Sequence, residues 1–162
     1  MKPKVYLETS VLSYLTARSS RDLIVAANQQ ITREWWATRK DEYELYVSQI
    51  VVEEARTGDA EAAQHRLEVV RGIPQLATIL HVEELAEALF LGVPLPPRAK
   101  TDALHIASAA VHGMNYLVTW NCAHIANATL RPRIEAICRD AGYEPPIICT
   151  PQELLGKDDE LS

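Results

Sequence analysis

Val5-Tyr6-Leu7-Glu8-Thr9-Ser10-Val11-Leu12 is the stretch whose reading decides the fold. Its first three residues are β-branched, aromatic and apolar, the composition of a buried central strand, and that strand runs straight into an acid. Thr9 and Ser10 can cap a helix that Val11, Leu12, Tyr14 and Leu15 begin. In open α/β sheets the carboxyl ends of the strands face the ligand crevice, so Glu8 falls where chemistry is usually placed. The other reading makes Glu8 a first-turn charge favoured by the helix dipole. Further acids at equivalent places would decide between them.

Working outward, the pattern alternates. A helix is expected from Asp22 to Arg39, with Leu23, Ala26, Ala27, Ile31, Trp35 and Ala37 on one face. Trp35-Trp36 anchors it to the core or to a second copy of the chain, or else stacks on bases. Glu44 to Val47 reads as a second strand, and Ser48 caps a helix that runs to Gly58. Another helix spans Asp59 to Arg71, a third strand Ala77 to His81, and a helix Val82 to Leu91. After the stiff loop Leu95-Pro96-Pro97-Arg98, an amphipathic helix is expected from Thr101 to His112. Tyr116 to Trp120 and Pro146 to Cys149 are strands, with a helix from Ile134 to Asp140 between them. Strands separated by helices of about ten residues imply a parallel sheet covered on both faces. Ala103, Ala107, Ser108, Ala109 and Ala110 let the Thr101 helix lie close on that sheet.

The 162 residues suit a single domain over 1–155, followed by a flexible acidic tail over 156–162 with Asp158, Asp159 and Glu160. With 48% hydrophobic and 23% charged residues, wholesale disorder is excluded. A net charge of −6 argues against a passive nucleic-acid binder, though not against an enzyme that holds a polyanion through bound cations. No apolar run reaches the roughly 18 residues of a membrane span, and a cytoplasmic protein is expected. Cys122, Cys138 and Cys149 lack paired spacing and read as reduced thiols.

Three further residues bear on Glu8. Glu54 lies three and four residues after Val51 and Ile50 and shares their apolar helix face, while Glu53 is turned away. Asp102 opens the Thr101 helix, beside the cations Arg98 and Lys100. Asn121 directly follows a strand, with Thr119 before it and His124 after it. Each alone has a structural account as a surface acid or a helix cap. Together they stand at strand ends that a parallel sheet can bring to one acidic crevice, where carboxylates repel unless cations share them. Mg²⁺ or Mn²⁺ is the economical occupant, and such a site can serve phosphodiester hydrolysis.

The segments 6–12, 47–54, 102–109 and 116–121 resemble, in order and context, the PIN-domain nucleases, in particular the VapC-like toxins of bacterial toxin–antitoxin pairs. The resemblance covers about Lys4 to Thr150. It implies a Rossmann-like three-layer α/β fold with four to five parallel strands flanked by helices, and a divalent-metal-dependent endoribonuclease acting on RNA. Glu8 matches the family's first acid, usually Asp; Glu54 its helix Glu; Asp102 its third acid; and Asn121 a position commonly Asp, sometimes Asn. Glu8, Glu54 and Asp102 would hold Mg²⁺ or Mn²⁺, Asn121 would assist at the substrate side, and Thr119 would orient a ligand or the attacking water. A homodimer and a small antitoxin covering the crevice are implied as partners. Glu8 projects its carboxylate about 1.5 Å further than Asp would, and Asn121 removes a charge, so one firmly held cation and low activity are expected. The alternative is a PIN-like module that binds RNA or protein with little or no catalysis. A flavodoxin-like nucleotide-binding protein shares the sheet but has no support from a Gly-rich phosphate loop.

Overall fold

The computed structural model describes residues 1–156. In chain order the elements are β1 (Lys4–Leu7), α1 (Thr9–Thr16), α2 (Leu23–Arg39), β2 (Glu44–Ser48), α3 (Gln49–Ala55), α4 (Ala60–Val70), β3 (Gln75–Leu76), α5 (Leu80–Gly92), α6 (Lys100–Val111), β4 (Tyr116–Val118), α7 (Arg131–Asp140), β5 (Ile147–Cys149) and α8 (Pro151–Leu154). The strands form one sheet in the order β3-β2-β1-β4-β5, with every pair parallel. Tyr6 at the centre pairs with Tyr46 on one side and Leu117 on the other.

The direction of winding reverses at β1, which lies between β2 and the much later β4. In a doubly wound sheet this reversal opens a crevice beyond the carboxyl ends of the two central strands. Val5, Tyr6 and Leu7 are wholly buried, as a strand covered on both faces requires. Ala103, Ile106, Ala107 and Ala109 of α6 are buried too, and the small side chains bring that helix close to the sheet, with α5 packed along its flank. Trp35 is buried beside Trp36 and Tyr43, so this half of the tryptophan pair anchors α2 to the core.

Several boundaries differ from the sequence reading. The third strand lies at Gln75–Leu76, where it pairs with Val47 and Ser48, instead of at 77–81. Ile79 and Leu80 are exposed and lead into α5, so that apolar run is a helix entry and not a core strand. The helix after Ser48 ends at Ala55, and the chain then turns through Gly58 at φ +83°. Pro132 lets α7 begin three residues earlier than Ile134, because proline suits a first helical turn. The helix α8 was not anticipated. Of the tail expected at 156–162, only Gly156 belongs to the described residues; the rest lies outside them. Among the described residues no helix is long and apolar enough to cross a membrane. All three cysteines are free, with Cys138 and Cys149 buried and Cys122 exposed.

Candidate metal centre

The site grows from the ends of β1 and β4. The Glu8 N–H donates to Val118 O at 3.1 Å, carrying the β1–β4 pairing one residue past the strand. Glu8 is the N-cap of α1 in extended conformation, and its Oε2 accepts the Ser10 N–H at 3.1 Å. Its Oε1 accepts the Ser10 hydroxyl, and also the Thr119 hydroxyl at 2.6 Å. Glu8 therefore caps a helix at the carboxyl end of β1 while its carboxylate is bonded to the residue after β4. The residue is only 6% exposed. Thr119 is wholly buried and its Oγ1 also accepts the Asn121 N–H at 2.9 Å, so one hydroxyl ties the acid of β1 to the loop after β4.

Glu54 enters from the last turn of α3, whose start is fixed by Ser48 accepting the Val51 N–H. Its Oε1 accepts the Thr9 hydroxyl at 2.7 Å and lies 2.5 Å from His105 Nε2. His105 comes from α6 and is wholly buried; its Nδ1 is 2.7 Å from the Tyr6 hydroxyl, which in turn is 2.8 Å from Ser48 Oγ. Burial alone would push the His105 imidazole down, but the bond to Glu54 and the charges of Glu8, Glu54 and Asp102 hold it above its ordinary value. Burial would likewise raise Glu54, and the hydrogen bond and charge of His105, with the Thr9 hydroxyl, turn that into a lowering. The Tyr6 phenol is pushed well up, chiefly by burial.

Asp102 stands one turn before His105 on α6, and its carboxylate bonds to the loop after β4. Its Oδ1 accepts the Asn121 amide N–H at 3.1 Å, and its Oδ2 is 3.0 Å from His124 Nδ1. Asn121 Oδ1 accepts the His124 backbone N–H at 3.0 Å, which fixes the amide's orientation.

The ligand atoms of Glu8, Glu54 and His105 lie within 4.8 Å of one another. Of the expected metal-holding set the structure thus brings Glu8 and Glu54 together, whereas Asp102 forms an adjoining cluster with Asn121 and His124. Thr119 binds Glu8, and Asn121 spends its amide on Asp102. Among the described residues no Lys or Arg is within ion-pair distance of Glu8, Glu54 or Asp102. A buried Glu8 carboxylate beside a half-buried Glu54, with no Lys or Arg partner among the described residues and one Glu54 oxygen unused, fits a divalent cation that takes oxygen donors and tolerates imidazole.

The sequence reading missed Tyr6, Thr9, Ser10, His105 and His124 as members of the site. A signal existed for the first and fourth. A tyrosine in a central strand and a histidine on an alanine-rich inner helix both need buried partners, and each supplies the other's.

Comparison with known proteins gives a family and a fold. The PIN domain family model matches residues 5–121, a span that runs from β1 through Asn121. A chain in the crystal structure of VapBC2 from Rickettsia felis, bound to a DNA fragment from their promoter, is similar in fold with a TM-score of 0.54. The match is 14% identical and covers 90% of this chain and 97% of that one. No curated protein matches the sequence.

Proposed function

Because the chain belongs to the PIN domain family, whose members are generally metal-dependent nucleases, we propose that it is an endoribonuclease that uses Mg²⁺ or Mn²⁺ and serves as the toxin of a toxin–antitoxin pair. The observation that supports this reading is the approach of Glu8 and Glu54 to one another at the β1–β4 crevice, with no lysine or arginine partner among the described residues. Glu8 and Glu54 would hold the cation, with Asp102 on the adjoining side. Bound there, the ion supplies Lewis acidity toward a phosphodiester and toward water.

The chain's own residues do the positioning. Thr119 and Ser10 fix the Glu8 carboxylate, Thr9 and His105 fix Glu54, and Asn121 with His124 fixes Asp102. Positioning of this kind matters because an ångström of displacement can cost about a hundredfold in rate. We read residues 1–155 as one such domain. The likeness to a chain of VapBC2 supports a small antitoxin as partner, and exposed Leu23, Ile24, Leu80 and Leu91 offer apolar surface for it or for a second copy of the chain in the cytoplasm.

A second reading, a PIN-like module that binds RNA or protein with weak catalysis, is favoured by one observation. Both Glu8 oxygens already accept hydrogen bonds from Ser10 and Thr119, so a cation must compete with them. The test is calorimetric titration of Mn²⁺ into metal-free protein, wild type beside Asp102→Asn, with structured-RNA cleavage assayed on the same samples. The nuclease reading expects metal binding and metal-dependent cutting in the wild type, with cutting lost in the variant. Binding without cutting favours the module, with Glu8→Asp as the attempt at rescue. No binding in either protein refutes the metal site.

A further inference from the structure

We infer that Ser48, Tyr6 and His105 form a buried line that orients Glu54: together with Thr9, His105 occupies Oε1 so that Oε2 is presented to the cation. The inference rests on the reading of Glu54 as a cation-holding residue. Its basis is an asymmetry among the acids. Both oxygens of Glu8 and both of Asp102 are engaged by groups of this chain. Glu54 instead takes both donors on Oε1, and Oε2 has no partner among the described residues.

His105 Nε2 and Glu54 Oε1 are 2.5 Å apart, in direct hydrogen-bonding contact with no room for an ion between them. Neighbouring ligands on one octahedral ion with bonds of about 2.1 Å stand about 3 Å apart. A lone pair on Nε2 would face the carboxylate, so the proton is assigned to Nε2, and His105 acts through Glu54 as a positioning residue. The line behind it is complete. With Nε2–H donating, Nδ1 accepts the Tyr6 O–H, Tyr6 accepts the Ser48 O–H, and Ser48 Oγ accepts the Val51 N–H. A second proton on the ring reverses the Tyr6 and Ser48 links and leaves Nε2–H on Glu54, so the orientation of the acid is the same in both protonation states. Ser48 also caps α3, the helix that carries Glu54. The backbone and the carboxylate of that helix are thus set from one point at the end of β2.

Outer partners of metal-holding groups contribute about 10–100-fold to affinity. The test is Mn²⁺ affinity and pulsed electron paramagnetic resonance on metal-free, folded wild type, His105→Leu and His105→Gln, each also combined with Glu54→Gln. His105→Leu is expected to weaken Mn²⁺ by about 10–100-fold, and His105→Gln, which keeps an N–H near the same place, to recover most of it. In the Glu54→Gln background His105→Leu should cost little more, because the partner it acts through is gone. No nitrogen coupling to bound Mn²⁺ is expected from His105.

Nitrogen coupling that disappears in His105→Leu would make His105 a ligand and overturn the inference. Unchanged affinity, equal losses in both backgrounds, or equal losses with Leu and Gln would overturn it too. If Glu54→Gln leaves no measurable binding, the comparison of Leu with Gln decides. If His105→Leu does not fold, Thr9→Val decides: it removes the other Oε1 donor, a several-fold weakening is expected, and unchanged affinity refutes the clamp. A wild type that binds no Mn²⁺ refutes clamp and metal site together. His105-dependent binding without RNA cleavage leaves the clamp standing and refutes the nuclease, and cleavage with no dependence on His105 does the reverse.

Discussion

Replacing Thr119 by valine removes one oxygen from the centre of the site and almost no volume. That oxygen donates to Glu8 Oε1 at 2.6 Å and accepts the Asn121 N–H at 2.9 Å. A hydrogen bond to a charged acceptor contributes about 1.5–3 kcal/mol, and an orphaned donor costs about 1 kcal/mol where water reaches part of it, as at half-buried Asn121. The residue is wholly buried and its carboxylate partner is 6% exposed, so solvent does little to restore the lost bond. The loss expected for Thr119→Val in metal-free protein is about 3 kcal/mol, which for a chain of 162 residues is a fall in melting temperature of about 6–12 °C. Thr119→Ser keeps the oxygen and gives up a methyl worth about 1 kcal/mol, so its fall should be the smaller. Thermal unfolding of the three proteins after exhaustive chelation reads the difference directly. A valine variant that melts with the wild type, or above the serine variant, would refute the claim that this hydroxyl holds Glu8 in place.

Other outcomes follow from the same geometry. The Cys138 thiol is pushed up to about 11 and the Cys149 thiol to about 12, both by burial, while Tyr6 is also raised. The fold then keeps protons that the unfolded chain releases above about pH 9, so stability is full below that pH and declines as pH rises toward 12. A denaturant midpoint that stays flat from pH 8 to pH 11 would contradict this. In the native protein a thiol reagent should label Cys122 alone, the one exposed cysteine, with Cys138 and Cys149 reacting only after unfolding. Trp35→Ala should cost about 3–5 kcal/mol, because the indole is wholly buried between Trp36 and Tyr43, and a urea midpoint shift below 1 kcal/mol would place that helix's anchor elsewhere. His124→Ala frees one oxygen of Asp102 in a pair only about a fifth exposed, so it should lower stability by about 1–3 kcal/mol. The site should feel it as well: Mn²⁺ affinity by calorimetry is expected to fall about tenfold.

The parallel sheet was legible because its strands are short, apolar and separated by helices with clear caps. Val5-Tyr6-Leu7 and Tyr116-Leu117-Val118 announce themselves as buried, and both proved to be wholly or largely so. The third strand was not legible. Gln75 and Leu76 are too few and too polar to show a period, and they are strand only because Val47 and Ser48 lie beside them. Ile79 and Leu80 gave the opposite error, since apolar character does not report whether a side chain ends inside. Acids at strand ends were visible because topology predicts where such ends point, but the hydroxyls that hold them were not. Thr9 and Ser10 look like ordinary caps in sequence, and Thr119 was singled out by the resemblance as orienting a ligand or water; that these hydroxyls hold Glu54 and Glu8 depends on contacts 45 and 111 residues away.

Glu8 does two things with one carboxylate. A shorter acid at this N-cap would still reach the Ser10 N–H, the bond that starts α1. The Glu8 carboxylate also meets the Thr119 hydroxyl from β4's end, so helix start and crevice wall are joined by one side chain. That connection has an electrostatic consequence. Three donors on Glu8 compete with a cation for its oxygens, while Glu54 keeps an oxygen unused and leans on His105, and Asp102 is held by two neighbours. The three acids are therefore unequal in what they offer a metal. Glu54 has the least competition for its free oxygen and Glu8 the most, so the first cation should be felt most strongly by substitutions along the line from Ser48 through Tyr6 and His105 to Glu54.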